Sequence, residues 1–121
     1  MRATMKWREH AVLLRQLGHP VRLALLSELS RGPKCVTDMR DLLEVRQANV
    51  SQHLALLRQA RLVDFHEDGN VRCYYLLRPA LVRDLMRLLG RDYPAQPKTP
   101  SQVRRAAAAR RRCAVAQPGG S

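Results

Sequence analysis

Aromatic side chains are scarce: Trp7, Phe65, Tyr74, Tyr75 and Tyr93 are the whole set. Leucine must therefore carry the packing, which favours helices over a sandwich or barrel. No run of about 18 apolar residues exists, so no membrane-spanning helix is expected. The opening MRATMKWREH lacks the apolar stretch of a secretory signal. Cysteine is limited to Cys35, Cys73 and Cys113, an odd and widely spaced set with no CxxC pair. That spacing excludes a disulfide framework and fits a reducing cytoplasm, the expected location. Neither a phosphate loop nor a nucleophile beside a plausible base is present. The four histidines, His10, His19, His53 and His66, stand at no ligand spacing. An enzyme is not expected.

Acidic residues are also few, and this shortage is the informative one. Ten acidic side chains face 22 basic ones, a formal net charge of +12 over 121 residues. Lysine contributes only Lys6, Lys34 and Lys98, so nearly all the positive charge is arginine. Guanidinium forks match phosphate oxygens and guanine edges better than ammonium groups do. The balance points to nucleic acid, with an anionic membrane surface as the alternative that composition alone does not separate.

The length suggests one small-cored domain. The composition changes near residue 90. Residues 91–121 carry Arg91, Lys98, Arg104, Arg105, Arg110, Arg111 and Arg112 against Asp92 alone, with Pro94, Pro97, Pro100 and Pro118 among them. They read as a disordered basic tail rich in Arg, Ala and Pro, with a helical stretch around 101–112 started by Ser101. A folded domain is expected over residues 1–90.

Within that domain, Trp7, Val12, Leu13, Leu14 and Leu17 outline an amphipathic helix over 6–17, stopped by Gly18. Pro20 opens a second helix holding Val21, Leu23, Leu25, Leu26 and Leu29. A short third helix runs from about Thr37, a candidate cap, to Leu43. The fourth, over 47–59, places Val50, Leu54 and Leu57 on one buried face. The period then changes: 62–66 and 71–76 read as strands around the turn Glu67-Asp68-Gly69-Asn70. Pro79 opens a last helix with Leu81, Leu85 and Leu88 in one stripe and Val82, Met86 and Leu89 beside it. So wide an apolar arc asks for a second partner in addition to the core. The class is α+β, mainly helical: a winged helix-turn-helix of four helices, a hairpin and a fifth helix.

From Leu17 to Leu89 the sequence resembles the ArsR/SmtB family of bacterial metal- and stress-responsive repressors. The matching blocks are LGHPVRLALLSEL at 17–29, NVSQHLALLRQARLV at 49–63 and GNVRCYYLL at 69–77. The resemblance implies a sequence-specific transcriptional regulator, a repressor, bound to double-stranded operator DNA. It also implies a homodimer paired through the first and last helices, with Leu13, Leu17, Leu81, Leu85 and Leu88 as interface candidates. In that family the second block is the recognition helix and its exit into the wing. Two departures stand out: Arg46 replaces a small capping residue before that helix, and Arg61 replaces glycine at its exit.

If helix 47–59 lies in the major groove, Gln47, Asn49, Ser51, Gln52 and His53 are the polar groups available to base edges. Arg46, Arg58 and the wing residue Arg72 are suited to phosphates. His53, beside Leu54, has a competing role in fixing helix packing.

Family members often respond to a metal or metalloid ion. One family site is a Cys-Val-Cys pair at the start of the third helix; here Cys35 matches its first cysteine and Thr37 stands at the second. A zinc-type site on the last helix needs histidine, and residues 79–93 have none. A thiol constellation of Cys35, Cys73 and Cys113 remains, because the segment ahead of the third helix often adds a strand to the wing. Three thiolates would suit trivalent arsenic or another thiophilic ion. Disulfide-based redox sensing, and cysteines with no sensory role in a ligand-independent regulator, are the other readings. A non-specific basic protein on nucleic acid or a membrane surface is the alternative from another class.

Overall fold

The structure is a computed structural model that describes residues 2–116. The chain forms two compact units, the first ending at Arg91 and the second starting at Asp92. In the first unit the elements run α1 (Arg2–Leu17), α2 (Pro20–Leu29), β1 (Lys34–Cys35), α3 (Val36–Leu43), α4 (Gln47–Gln59), β2 (Val63–Asp68), β3 (Val71–Leu76) and α5 (Pro79–Leu89). This is the winged helix-turn-helix order, and α4 has the expected bounds.

Local chemistry sets the boundaries. Pro20 stands in the first turn of α2, and the Val21 N–H donates to His19 Nδ1 at 3.1 Å, so an imidazole caps this helix. The expected cap of α3 is corrected: Cys35 precedes the helix and Thr37 lies inside it. The α3–α4 turn passes through Glu44, held left-handed at φ 53. Arg46 then opens α4 with no side-chain cap, leaving the first N–H groups of the helix free to meet an acceptor.

The exit of α4 is equally specific. The Leu62 N–H returns to Leu57 O and the Arg61 N–H to Arg58 O, both at 3.0 Å. That is the Schellman pattern, which places the residue after the cap in the left-handed region and favours glycine there. Arg61 occupies it at φ 59.

The sheet is antiparallel in the order β1-β3-β2. The first wing strand starts at Val63 rather than 62 and continues to Asp68, so the turn shortens to Gly69-Asn70. Gly69 adopts φ 64, the positive value that tight hairpins need. Phe65 lies opposite Tyr74 and Val63 opposite Leu76, while Asp64 and His66 alternate with them.

One core joins these parts. Leu25, Leu26, Met39, Val50, Leu54, Leu57, Leu62, Val63 and Val82 are fully buried, with Leu17, Leu29 and Tyr74 nearly so. Each large apolar side chain contributes roughly 1.5–3 kcal/mol by leaving water. Helices α1, α2 and α3 and strand β2 thus fix α4 in place, with its polar face outward.

The second unit corrects part of the expected tail. Residues 92–99 have no regular structure, but Pro100–Ala116 form a helix, α6. Thr99, rather than Ser101, starts it. The Gln102 N–H donates to Thr99 Oγ1 at 3.3 Å and the Thr99 N–H to Gln102 Oε1 at 2.8 Å, a reciprocal capping box. The chain end at 117–121, expected to belong to the tail, lies outside the described residues.

Candidate nucleic-acid interface

Burial of Val50, Leu54 and Leu57 turns the other side of α4 to solvent, where Gln47, Asn49, Ser51 and Gln52 are exposed. Arg46 at the helix start is exposed too. Between α4, the wing and the start of α3 lies an open cleft of about 410 Å³, lined among others by Gln47, Ser51, Arg58, Phe65, Asn70 and Arg72. Helix and hairpin therefore form two walls with amide, hydroxyl and guanidinium groups between them.

Phe65 organises the arginines. The Arg58 guanidinium, from α4, lies over its ring at 4.5 Å, and that of Arg72, from β3, at 4.4 Å. Each arginine also meets a carboxylate: Arg58 Nε donates to Asp64 at 3.0 Å, and Arg72 Nε lies 3.4 Å from Glu67. Asp64 also accepts the Phe65 N–H at 2.8 Å. That backbone bond, followed by the Arg58 bond, holds its carboxyl below the usual range. Arg58 and Arg72, two of the three arginines expected to meet phosphates, are thus stacked and paired, and both remain partly exposed. Cation–π contacts of this kind contribute roughly 0.5–1 kcal/mol at exposed sites.

His53 sits elsewhere. Its ring packs against His19, with centroids 4.3 Å apart, and its Nδ1 is buried without a hydrogen-bond partner. Burial, then the neighbouring His19 and Arg22, lower its pKa below 6.5. The packing role considered for His53 is the one its position supports, and Gln47, Asn49, Ser51 and Gln52 remain as exposed polar groups in the first turns of α4. Phe65, Asp64 and His19 were missed as site residues because their roles arise from contacts between elements.

Comparison with known proteins agrees with this geometry. Residues 19–64 match the family model described as "Bacterial regulatory protein, arsR family". The chain is 32% identical over 72 residues to the arsenical resistance operon repressor of Staphylococcus xylosus, covering 60% of this chain and 69% of that one. The chain belongs to the arsR family. It is also 36% identical over 75 residues to the biofilm growth-associated repressor of Agrobacterium fabrum, 62% of this chain, and spans only 64% of that protein. Among solved structures, reduced HlyU from Vibrio cholerae matches with a TM-score of 0.67 and 29% identity, covering 72% of this chain and 95% of that one. These are families of regulators, not of enzymes, and no helix among the described residues is long and apolar enough to cross a membrane.

For an arsR-family chain the cysteines need separate treatment. Cys35 and Cys73 are direct partners across β1 and β3, the juxtaposition expected from the sequence. The Cys35 thiol, however, turns to the start of α3, donating to Asp38 Oδ2 at 3.0 Å and lying 3.1 Å from Thr37 Oγ1. Cys113 is exposed on α6, in the other unit. Among the described residues, no group of three or more His, Cys, Asp or Glu side chains is arranged to hold a metal ion. Cys35 and Cys73 are thus neighbours by backbone register, with the Cys35 thiol turned toward α3.

The proposed pairing residues also divide. Leu17 is buried within its own chain, which removes it from any interface, and Leu13, Leu81 and Leu85 pack partly on the core. Leu88 is 54% exposed, and Leu89, Leu14, Val12 and Trp7 are exposed with it. Val82, expected in the outer strip, is instead the buried anchor of α5.

Proposed function

We propose that the chain is a sequence-specific transcriptional regulator that binds operator DNA as a homodimer and represses from it. The observation that carries this reading is the exposed row Gln47, Asn49, Ser51 and Gln52 on an α4 whose opposite side is locked in the core. In this reading α4 enters the major groove with its N-terminal turns on the base edges. Asn and Gln pair bidentately with adenine, and Ser bonds to several bases. Arg46, Arg58 and Arg72 hold the backbone that passes between helix and wing, exchanging Asp64 and Glu67 for phosphate oxygens. Exposed apolar groups on α1 and α5, Leu14 and Leu88 among them, supply the surface for a second copy.

The test uses a duplex selected by the protein from a random-sequence pool, and an unselected duplex of equal length. Gln52→Ala should cost about 1–3 kcal/mol on the selected duplex and little on the other. Arg72→Ala should weaken both alike and flatten the salt dependence. Equal losses on both duplexes for Gln52→Ala would remove it from the reading set.

A finer reading concerns the effector, and the β1–β3 register favours it. A thiophilic ion such as arsenite would join Cys35 and Cys73, drawing the Cys35 thiol away from Asp38 and so shifting the start of α3 against the wing. Arsenite should then release wild-type protein from the selected duplex but leave Cys35→Ser and Cys73→Ser bound. Release of all three proteins alike would exclude the pair as the sensor.

A further inference from the structure

The second unit carries a basic surface that the helix-turn-helix reading does not use. Helix α6 holds Arg104, Arg105, Arg110, Arg111 and Arg112 and contains no acidic residue. Among the described residues, no carboxylate pairs with any of these arginines.

The arrangement follows helical geometry. Arg104 and Arg111, and likewise Arg105 and Arg112, are seven residues apart, so each pair shares one face about 10 Å apart along the axis. All four are exposed. Ala106–Ala109 separate the two sets, so no two arginines fall at i,i+3 or i,i+4, where like charges would repel. The Thr99–Gln102 capping box starts the helix. The sequence therefore spends alanine and a cap on keeping an arginine face helical, which a merely solubilising tail does not require.

The partner's chemistry follows from charge density. Four arginines over about 12 Å of helix place one positive charge per about 3 Å. A DNA strand carries one phosphate per about 3.4 Å of axis. Guanidinium forks bind phosphate oxygens bidentately. An anionic membrane fits less well, because interfacial helices bury bulky apolar residues. The face opposite the arginines offers one bulky apolar side chain, Val103, with Ala106 and Cys113, and Arg110 stands among them.

We propose that α6 is a phosphate-binding helix that docks its Arg104, Arg105, Arg111 and Arg112 face on duplex DNA flanking the site held by α4. The ten residues between Leu89 and Pro100 reach up to about 30 Å when extended, enough to clear the central site. This inference rests on the operator-binding reading for its location, though the helix's affinity for phosphates does not depend on base reading.

The full-length chain tests it on the selected site presented in duplexes of about 20 and about 40 base pairs, the shorter matching two half-sites and little more. Wild-type protein should bind the longer duplex about tenfold or more tighter at low salt, with a salt slope steeper by roughly seven, as four phosphate contacts from each of two α6 helices imply. The quadruple alanine variant R104A/R105A/R111A/R112A, which keeps the helix, should bind both lengths equally. Ala108→Pro keeps every charge but breaks the helix and should lose most of the length advantage. An Ala108→Pro protein with the full advantage would overturn the proposal, because charge alone would then suffice. Tighter binding to phosphatidylglycerol vesicles than to the longer duplex, abolished in the quadruple variant, would overturn it in favour of a membrane surface. If the length advantage held while wild-type protein bound selected and unselected duplexes equally, the operator reading would fail and the role of α6 would stand.

Discussion

At the scale of single residues, the histidine beneath α4 has a measurable consequence. His53 packs on His19 with a buried, unpartnered Nδ1, near Arg22, whose Nε is likewise buried and unpartnered. Protonating His53 adds a charge where two basic neighbours already oppose it. Its folded pKa lies below the ordinary 6.5, with burial the first cause. As pH falls through 6.5 the unfolded chain takes up this proton before the folded one does. The contribution is therefore present above that pH and is lost on acidification toward the lowered value. Denaturant unfolding between pH 7.5 and about 5 should show stability falling, and His53→Gln should flatten that fall. An unchanged slope in the variant would assign the dependence to other groups. His53 also marks a limit of reading residues one at a time. Its position in the recognition segment was plain, but its neighbour His19 lies 34 positions away in sequence, so the packing could only be weighed, not seen. The same holds for Phe65, whose two arginines come from different elements.

At the scale of elements, periodic segments were legible and their ends less so. Helix α4 matched its expected bounds because Val50, Leu54 and Leu57 repeat at helical spacing between two charged boundaries. The first residues of α3 were misjudged because threonine is the commoner cap, and β1 pairing places Cys35 there instead. The start of α6 was visible in Thr-Pro-Ser-Gln, yet its proline-rich, charged surroundings suggested disorder and hid the box. The exit of α4 was legible as a departure, since Arg61 replaces glycine where the chain needs the left-handed region. A non-glycine residue there costs about 1–2 kcal/mol, while glycine's greater unfolded-state freedom offsets about 0.5–1 kcal/mol of any gain. Arg61→Gly should raise stability by up to about 1 kcal/mol, a rise of a few degrees in Tm by circular dichroism. A lower Tm would show that the Arg61 side chain contributes more than its backbone costs. If the charge of Arg61 also serves DNA, the same variant should bind both selected and unselected duplexes more weakly.

At the scale of the whole molecule, charge and apolar surface are distributed over different parts. The first unit holds the core, the exposed row on α4 and the paired arginines of the wing. The second holds a helix whose charge is almost unopposed. The fold and the recognition helix were readable because apolar periodicity and turn residues encode them locally. The effector was not, because two facing backbone positions do not determine where two thiols point. Outward apolar groups on α1 and α5, with Leu88 and Leu89 at one end of α5, remain uncovered in a single chain, and a second copy related by a two-fold axis would cover them on both sides. Two such copies would present two α4 helices to one face of DNA. The central claim, sequence-selective binding by a symmetric pair, is tested most directly by selection from a random-sequence duplex pool with the full-length chain. An enriched inverted repeat is expected, with half-site centres about 10–10.5 base pairs apart or a multiple of that spacing. A pool that binds tightly yet converges on no shared sequence would contradict it, leaving only the charge of the chain to explain its affinity.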